Sequence, residues 1–245
     1  MADIIWLEPS QIAFPSVDLA LKDPNGLLAA GGALTSQWLL SAYQLGIFPW
    51  FEDGQPILWW SPDPRLVLRP NEVRVSKSMR KLIRKTAFEV TFDTVFEDVI
   101  NACSQPRNTG AGDLSGTWIT SDMKQAYCAL HREGFAHSVE VWDGTRLVGG
   151  LYGVALNGVF FGESMFTRAS NASKLGFITL CRHLHHWGFD LIDCQVETEH
   201  LQSLGAYNVP RAEFCQTLAM KTRSADPMMS QSSRWHVDTH LLTTT

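Results

Sequence analysis

The five cysteines of this sequence show no pairing pattern. Cys103, Cys128, Cys181, Cys194 and Cys215 stand singly, odd in number and without a C-x-x-C pair. That argues against a disulfide framework and a structural zinc, and it fits a reducing, cytoplasmic setting. The eight histidines show no paired ligand spacing, so no metal is expected. His183, His185 and His186 are expected on the outer face of a helix. Long apolar runs are also missing. Leu147 to Ala155 is interrupted by glycines and stops at Asn157-Gly158, too short to span a bilayer, so no membrane partner is expected. The opening MADIIWLEPS has an acid and no basic region, unlike a secretory signal. There is no Walker loop, dinucleotide fingerprint or G-x-S-x-G elbow, and no cysteine with a recognisable His partner. These absences argue against bound ATP or NAD and against a covalent nucleophile, and no cofactor is expected.

What is present is globular. With 245 residues, 45% apolar and 18% charged, the chain can bury a sizeable core in one large domain, or in a small one beside a larger one. A net charge of −5 discourages a nucleic-acid partner, but the charge is uneven. Between Arg65 and Lys85 lie Arg69, Arg74, Lys77, Arg80, Lys81 and Arg84, opposed by Glu72 alone. A basic patch on an acidic protein suits a polyanion gripped at one place, although a solvated helix face has the same composition.

Before residue 63 the chain is rich in Pro, Gly and aromatics, with one clear helix from Ser36 to Leu45. FPWFEDGQPILWWSP, from Phe48 to Pro62, packs five aromatics among helix breakers, so its rings either plug a core or face a ligand. Asp63-Pro64 marks a boundary, dividing the chain into a small α+β domain over 1–63 and a larger domain over 64–245. Ser76 caps a short basic helix to about Lys85, with Met79, Leu82 and Ile83 facing inward. After it come a strand at AFEVTFD, a helix from Val95 to Cys103, a loop over 105–116, and a helix from Ser121 to about Glu133. SVEVW, RLVGGLYGVAL and VFFGESMF, joined by Asp143-Gly144 and Asn157-Gly158, predict an antiparallel meander. Asn171 or Ser170 caps the next helix; a buried strand DLIDCQV, a short helix ending at Gly205 and a last strand near Phe214 follow. The tail from about Ser224 is expected to be mostly irregular. This order describes an α+β fold.

Alternation places Asp193 beside Gln195 on one face of DLIDCQV, with Ile192, Cys194 and Val196 on the other. In VFFGESMF it aligns Phe161, Glu163 and Met165 opposite Phe160. Two acids on neighbouring strands can position an amine, accept its proton, or pair with buried arginines. The helix beginning at NASK offers free N–H groups to a phosphate or carboxylate.

Taken in order, QIAFPS, DPNGLLAAGGALT, LLSAYQLGIFPWF, ILWWSPDPR, GTWIT, LVGGLYGV, FGESMF, NASK and LIDCQVETEHLQSLGA resemble the bacterial leucyl/phenylalanyl-tRNA–protein transferases, from about residue 11 to Phe214. The resemblance implies an enzyme that moves Leu or Phe, with Met open, from aminoacyl-tRNA to proteins beginning with Arg or Lys, marking them for proteolysis. It implies a small N-terminal domain on a C-terminal acyl-CoA N-acyltransferase-like (GNAT-like) mixed sheet. By motif, the chemistry falls to Glu163, Asp193 and Gln195. Two proton routes stay open: the Asp193–Gln195 pair, or the tRNA's own ribose hydroxyl. Trp50 and Trp118 match positions around the aminoacyl-adenosine. Phe160, Met165 and Phe166 are candidates for the side-chain pocket, and Asn171 and Ser173 for further substrate contacts. Arg65, Lys77, Arg80, Lys81, Arg84 and Lys85 are expected to hold the tRNA backbone, and Trp59 and Trp60 the domain interface. The 105–116 loop is longer than the family pattern, and beyond Phe214 only Trp235 and Val237 echo it. Two rivals remain. An acetyl-CoA-dependent acetyltransferase needs a Gly-rich pyrophosphate turn that RASNASKLG does not supply. An adaptor that binds basic N-termini needs acids and a pocket, but not the basic helix.

Overall fold

The computed structural model describes residues 4–105, 118–223 and 234–243. The fold is α+β, as the element order predicts, and carries two sheets. The first is built from β1 (Ile5–Leu7), β2 (Leu27–Gly31), β3 (Phe48–Pro49) and β4 (Leu58–Trp60), in the order β1-β2-β4-β3. Helix α1 (Ser36–Gln44) starts where the Thr35 hydroxyl accepts from the Trp38 N–H. It stops at Gly46, whose φ of 76° suits a residue without a Cβ.

The second sheet runs β11-β5-β10-β9-β8-β7-β6. Its strands are β5 (Arg65–Leu68), β6 (Glu89–Phe92), β7 (Ala136–Asp143), β8 (Arg146–Leu156), β9 (Val159–Thr167), β10 (Leu191–Gln195) and β11 (Tyr207–Val209). The meander β7-β8-β9 forms at the expected turns. Asn157 and Gly158 both hold positive φ, which a two-residue type I′ hairpin requires.

Helices α2 (Lys77–Lys85) and α5 (Ala172–His186) contribute to an apolar layer with Leu151, Phe160, Ile178, Leu184 and Ile192. Helices α1, α3 (Phe96–Cys103) and α4 (Ser121–Arg132) contribute to a second layer with Tyr152, Val154 and Phe161. Because Trp38, Tyr43 and Trp59 belong to the same cluster as these residues, one apolar core joins the first sheet to the second. Trp59 is fully buried there.

The chain end differs from expectation. Phe214 lies in helix α7 (Arg211–Arg223), not in a strand, because the last strand is already complete at Val209. Pro210, with no N–H to leave unpaired, accepts the first helical bonds through its carbonyl. Short helices α6 (Glu199–Ser203) and α8 (Thr239–Thr243) complete the described elements. The 105–116 loop falls, beyond Gln105, outside the described residues.

Candidate active site

Two local irregularities open the second sheet at one point. β9 and β10 pair in parallel only from Leu191↔Val159 to Asp193↔Phe161, yet β9 runs on to Thr167. Opposite β8, Tyr152 faces Ser164 and Gly153 faces Gly162, so Glu163 is an extra, bulged residue. Opposite β5, Asp193 faces Val67 and Gln195 faces Leu66, so Cys194 is bulged too. Gln195 takes a φ of 62°, a costly conformation for a side chain of its kind. Bulges re-aim side chains. Here they correct the simple alternation: Met165 packs with the Phe160 layer, opposite Phe161 and the Tyr43 side that Glu163 meets. Val196, expected to be buried, is 44% exposed.

Glu163 is the hub of a hydrogen-bonded group. Its Oε1 accepts from the Tyr43 hydroxyl at 2.7 Å and from Gln195 Nε2 at 3.0 Å; its Oε2 accepts from the Tyr127 hydroxyl at 2.8 Å. The two tyrosine oxygens are themselves 2.5 Å apart. Two hydroxyls carry two protons, but these three oxygen centres make three close contacts. A proton on Glu163 completes the ring, and its loss leaves one contact without a hydrogen. Burial accordingly pushes the Glu163 carboxyl up to about 7, against the lowering effect of the tyrosine and Gln195 donors. Desolvation holds both tyrosines well above their ordinary range, so they stay protonated donors.

Asp193 sits behind this group. Its carboxylate takes a bidentate grip from Arg65, Nε to Oδ1 at 2.8 Å and Nη2 to Oδ2 at 2.6 Å, with both side chains at 0% exposure. The Gln195 N–H also donates to Asp193 Oδ1, at 2.9 Å, and Arg65 Nη1 donates to the Gly46 carbonyl. The Phe48 and Phe214 rings close over the guanidinium at 4.9 and 4.8 Å. The expectation that Arg65 holds tRNA is therefore corrected: burial beside Asp193 takes it away from solvent. Asp193, expected among the reacting groups, spends its oxygens on Arg65 and on the Gln195 backbone.

Two cavities meet at the opening. One, of about 370 Å³, is mainly apolar and is walled by Leu151, Phe160, Met165, Phe177, Ile192 and Leu201. The other, of about 130 Å³, lies between Phe48, Pro49, Trp50, Trp118 and Val196. Glu163 and Gln195 line both. The arrangement offers an apolar slot and an aromatic slot, with a proton-holding carboxyl and an amide at the junction.

Comparison with known proteins agrees with the resemblance in the motifs. The family described as leucyl/phenylalanyl-tRNA protein transferase matches residues 67–219, and its N-terminal domain matches residues 32–63. The leucyl/phenylalanyl-tRNA–protein transferase of Saccharophagus degradans is 53% identical over 227 residues, covering 93% of this chain and 92% of that protein. That of Pseudomonas putida W619 is 57% identical over 216 residues, covering 88% of this chain and 94% of its own. The chain belongs to the leucyl/phenylalanyl-tRNA–protein transferase family. It is an aminoacyltransferase. Among solved structures, a GCN5-related N-acetyltransferase from Kribbella flavida aligns over 69% of this chain and 58% of its own, with 12% identity and a TM-score of 0.35. A likeness that weak carries no argument.

Of the residues expected to serve a transferase of this family, the structure gathers Glu163, Gln195, Phe160, Met165, Trp50 and Trp118 around the two cavities. Phe166, Asn171 and Ser173 line neither. Phe166 lies beneath the Arg168 guanidinium instead. Asn171 stands at the start of α5 with a φ of 65° and makes no side-chain cap; its amide turns to the Ser170 hydroxyl. Lys77, Arg80, Lys81, Arg84 and Lys85 are exposed on α2, which Ser76 caps and whose Met79 is buried, as expected. Tyr43 and Tyr127 were not foreseen; they sit on the buried faces of α1 and α4, where a tyrosine reads as one more apolar residue. His183, expected outside, is fully buried. Among the described residues no cluster of His, Cys, Asp and Glu could hold a metal ion, and no helix is long and apolar enough to cross a membrane.

Proposed function

We propose that this protein moves Leu or Phe from aminoacyl-tRNA to the α-amino group of proteins beginning with Arg or Lys, and so marks them for N-degron proteolysis in the cytoplasm. The observation that carries the reading is the junction: Glu163 and Gln195 border both the apolar and the aromatic cavity. The donor's side chain enters the larger cavity against Phe160 and Met165, whose thioether accommodates both shapes. The terminal adenine stacks at Trp50 and Trp118, worth about 1–3 kcal/mol per base. The ester then lies beside Glu163.

The ester is already activated, so the remaining task is to bring the amine in and move one proton. The acceptor attacks as the free amine, its ammonium proton having gone to solvent. The nitrogen bonds to the carbonyl carbon, the bond to the ribose oxygen breaks, and that oxygen must gain the further proton that the nitrogen sheds on becoming an amide. An α-amino group titrates near ~7.7–8.0, close to the value of about 7 at Glu163. Glu163 takes the proton and returns it to the leaving oxygen, while its charge favours a cationic N-terminus. The ribose hydroxyl relay is the other route. Asp193 is a positioning residue: through its bond to the Gln195 N–H it holds the amide on Glu163. The exposed cations of α2 bind acceptor-stem phosphates without reading bases. The two sheets support a division at 63/64 into an N-terminal and a GNAT-like catalytic domain.

The test is transfer of label from Phe-tRNA and Leu-tRNA to peptides beginning with Arg, Lys or Ala, with labelled acetyl-CoA in parallel. The expected result is transfer from tRNA alone and to the Arg and Lys peptides alone. Label arriving from acetyl-CoA alone, or binding of the Arg peptide without transfer, contradicts it.

A further inference from the structure

The segment 234–243 follows the 67–219 stretch matched as leucyl/phenylalanyl-tRNA protein transferase, and it is docked on the second sheet. His183 fixes it at one end. His183 Nδ1 is 2.8 Å from the Thr179 carbonyl and so carries the proton, leaving Nε2 to accept from the Asp238 N–H at 2.9 Å. Arg182 adds a bond to the Leu241 carbonyl. At the other end the Trp235 ring, 5% exposed, stacks on buried His137 with centroids 3.7 Å apart and planes within 6°. Its remaining neighbours are Phe92, Trp187, Phe189 and Phe160.

Phe160 is the connection to the site. Its ring forms part of the wall of the larger cavity. It rests on the bare backbone of Gly153, where a Cβ would come within 2.5 Å of the ring. Trp235 stands 6.0 Å from it, centroid to centroid. Bare glycine and indole together leave Phe160 no space to withdraw, and in a close-packed interior such a wall keeps its place.

We propose that Trp235 determines donor specificity as a positioning residue: by holding Phe160 against Gly153 it sets the size of the cavity that receives the donor side chain, and with it the ratio of Phe to Leu transfer. The inference rests on the functional reading above, since it takes the larger cavity as the donor pocket. Removing the indole frees space behind Phe160, and the enlarged slot favours the bulkier donor. A change of one methylene in an apolar pocket alters discrimination by about 10–200-fold, so a shift of about fivefold is within reach of a wall movement smaller than that.

The experiment is a competition between Phe-tRNA and Leu-tRNA in one mixture, with an Arg-initiated peptide as limiting acceptor and full-length enzyme. Wild type, Trp235→Phe, Trp235→Leu and Trp235→Ala are compared, with thermal melts of each. The expected result is a Phe-to-Leu ratio of kcat/KM raised about fivefold or more in Trp235→Ala. Trp235→Leu lies between, Trp235→Phe stays near wild type, and KM for the peptide does not move. Should Trp235→Ala not fold, the Leu variant carries the comparison. Parallel loss of both donor rates at a constant ratio, tracking the melting temperature, overturns the proposal and leaves the segment a structural brace. Absence of transfer from either donor by the wild-type protein overturns the functional reading instead.

Discussion

Asp193 and Glu163 are acids on neighbouring strands with opposite environments. Arg65 neutralises the first completely, while the second has only neutral donors around it. Replacing Asp193 by Asn therefore leaves a buried guanidinium without its counter-charge. The expected loss is about 3–5 kcal/mol of stability, read from denaturant unfolding, and any fall in turnover follows from that and from a displaced Gln195. For Glu163 the sign reverses. Its carboxyl titrates near 7 in the fold against an ordinary 4.5, so the folded state holds the proton longer. Its contribution to stability is complete below about 4.5 and is lost as pH rises through 7. Glu163→Gln, with no proton to lose, is expected to be more stable than wild type above pH 7, by up to about 3 kcal/mol. Equal melting of the two at high pH contradicts the raised value. DLIDCQV made Asp193 and Gln195 legible as a pair, but not Arg65, 128 positions away. In sequence that arginine is simply the first member of a basic run. The tyrosine hydroxyls were invisible for the same reason: local pattern records burial, not the partner of a buried oxygen.

At the scale of elements, α2 was legible because a cap, an inward stripe and an exposed row of charges all agree. The phosphate grip proposed for it predicts a salt-dependent effect. Lys81→Ala with Arg84→Ala should weaken tRNA binding similarly for every donor tRNA and lower the slope of log affinity against log salt by about 2. An unchanged slope removes α2 from the tRNA surface. The bulges at Glu163 and Cys194 were not legible, because period-two reading assumes an unbroken ladder. A bulge is decided by the partner strand. The same blindness misplaced Met165, although the cavity it lines is the one expected for it. Helix α7 was missed because its apolar residues form no sustained stripe, and its burial comes from packing near Gly46, just past the end of α1, a long-range contact.

At the scale of the molecule, buried neutral histidines tie the chain end to the sheet. Burial lowers both His137 and His183 from the ordinary 6.5. Asp93 and His131 face the first, which also touches the Gly134 carbonyl; Asp238, His186 and His236 face the second. A depressed histidine contributes stability that is present above about 6.5 and lost as pH falls through its folded value. In a Glu163→Gln background, which removes the opposite trend of that carboxyl, the melting temperature is therefore expected to drop as pH is lowered from about 7.5 to 5.5, and to drop less when His183→Gln, which cannot gain a proton, is added. An identical drop in both means that His183 is not one of the groups that charge. The change of composition near residue 63 was legible, but the first sheet and the core it shares with the second were not, because Trp38, Trp59 and Tyr43 meet their partners only through the tertiary fold.

The account turns on Glu163 as the group that moves the proton at the meeting of the two cavities. Its most direct test is single-turnover transfer from Phe-tRNA to an Arg-initiated peptide across pH, for wild type and Glu163→Gln. The account predicts a wild-type rate with an inflection near 7, beside the rise that the acceptor amine gives near ~7.7–8.0 in both proteins, and a variant that loses the first inflection and is slower by about 10²–10⁴-fold. A variant that keeps both the inflection and a near-normal rate contradicts it, and leaves the proton to the ribose hydroxyl.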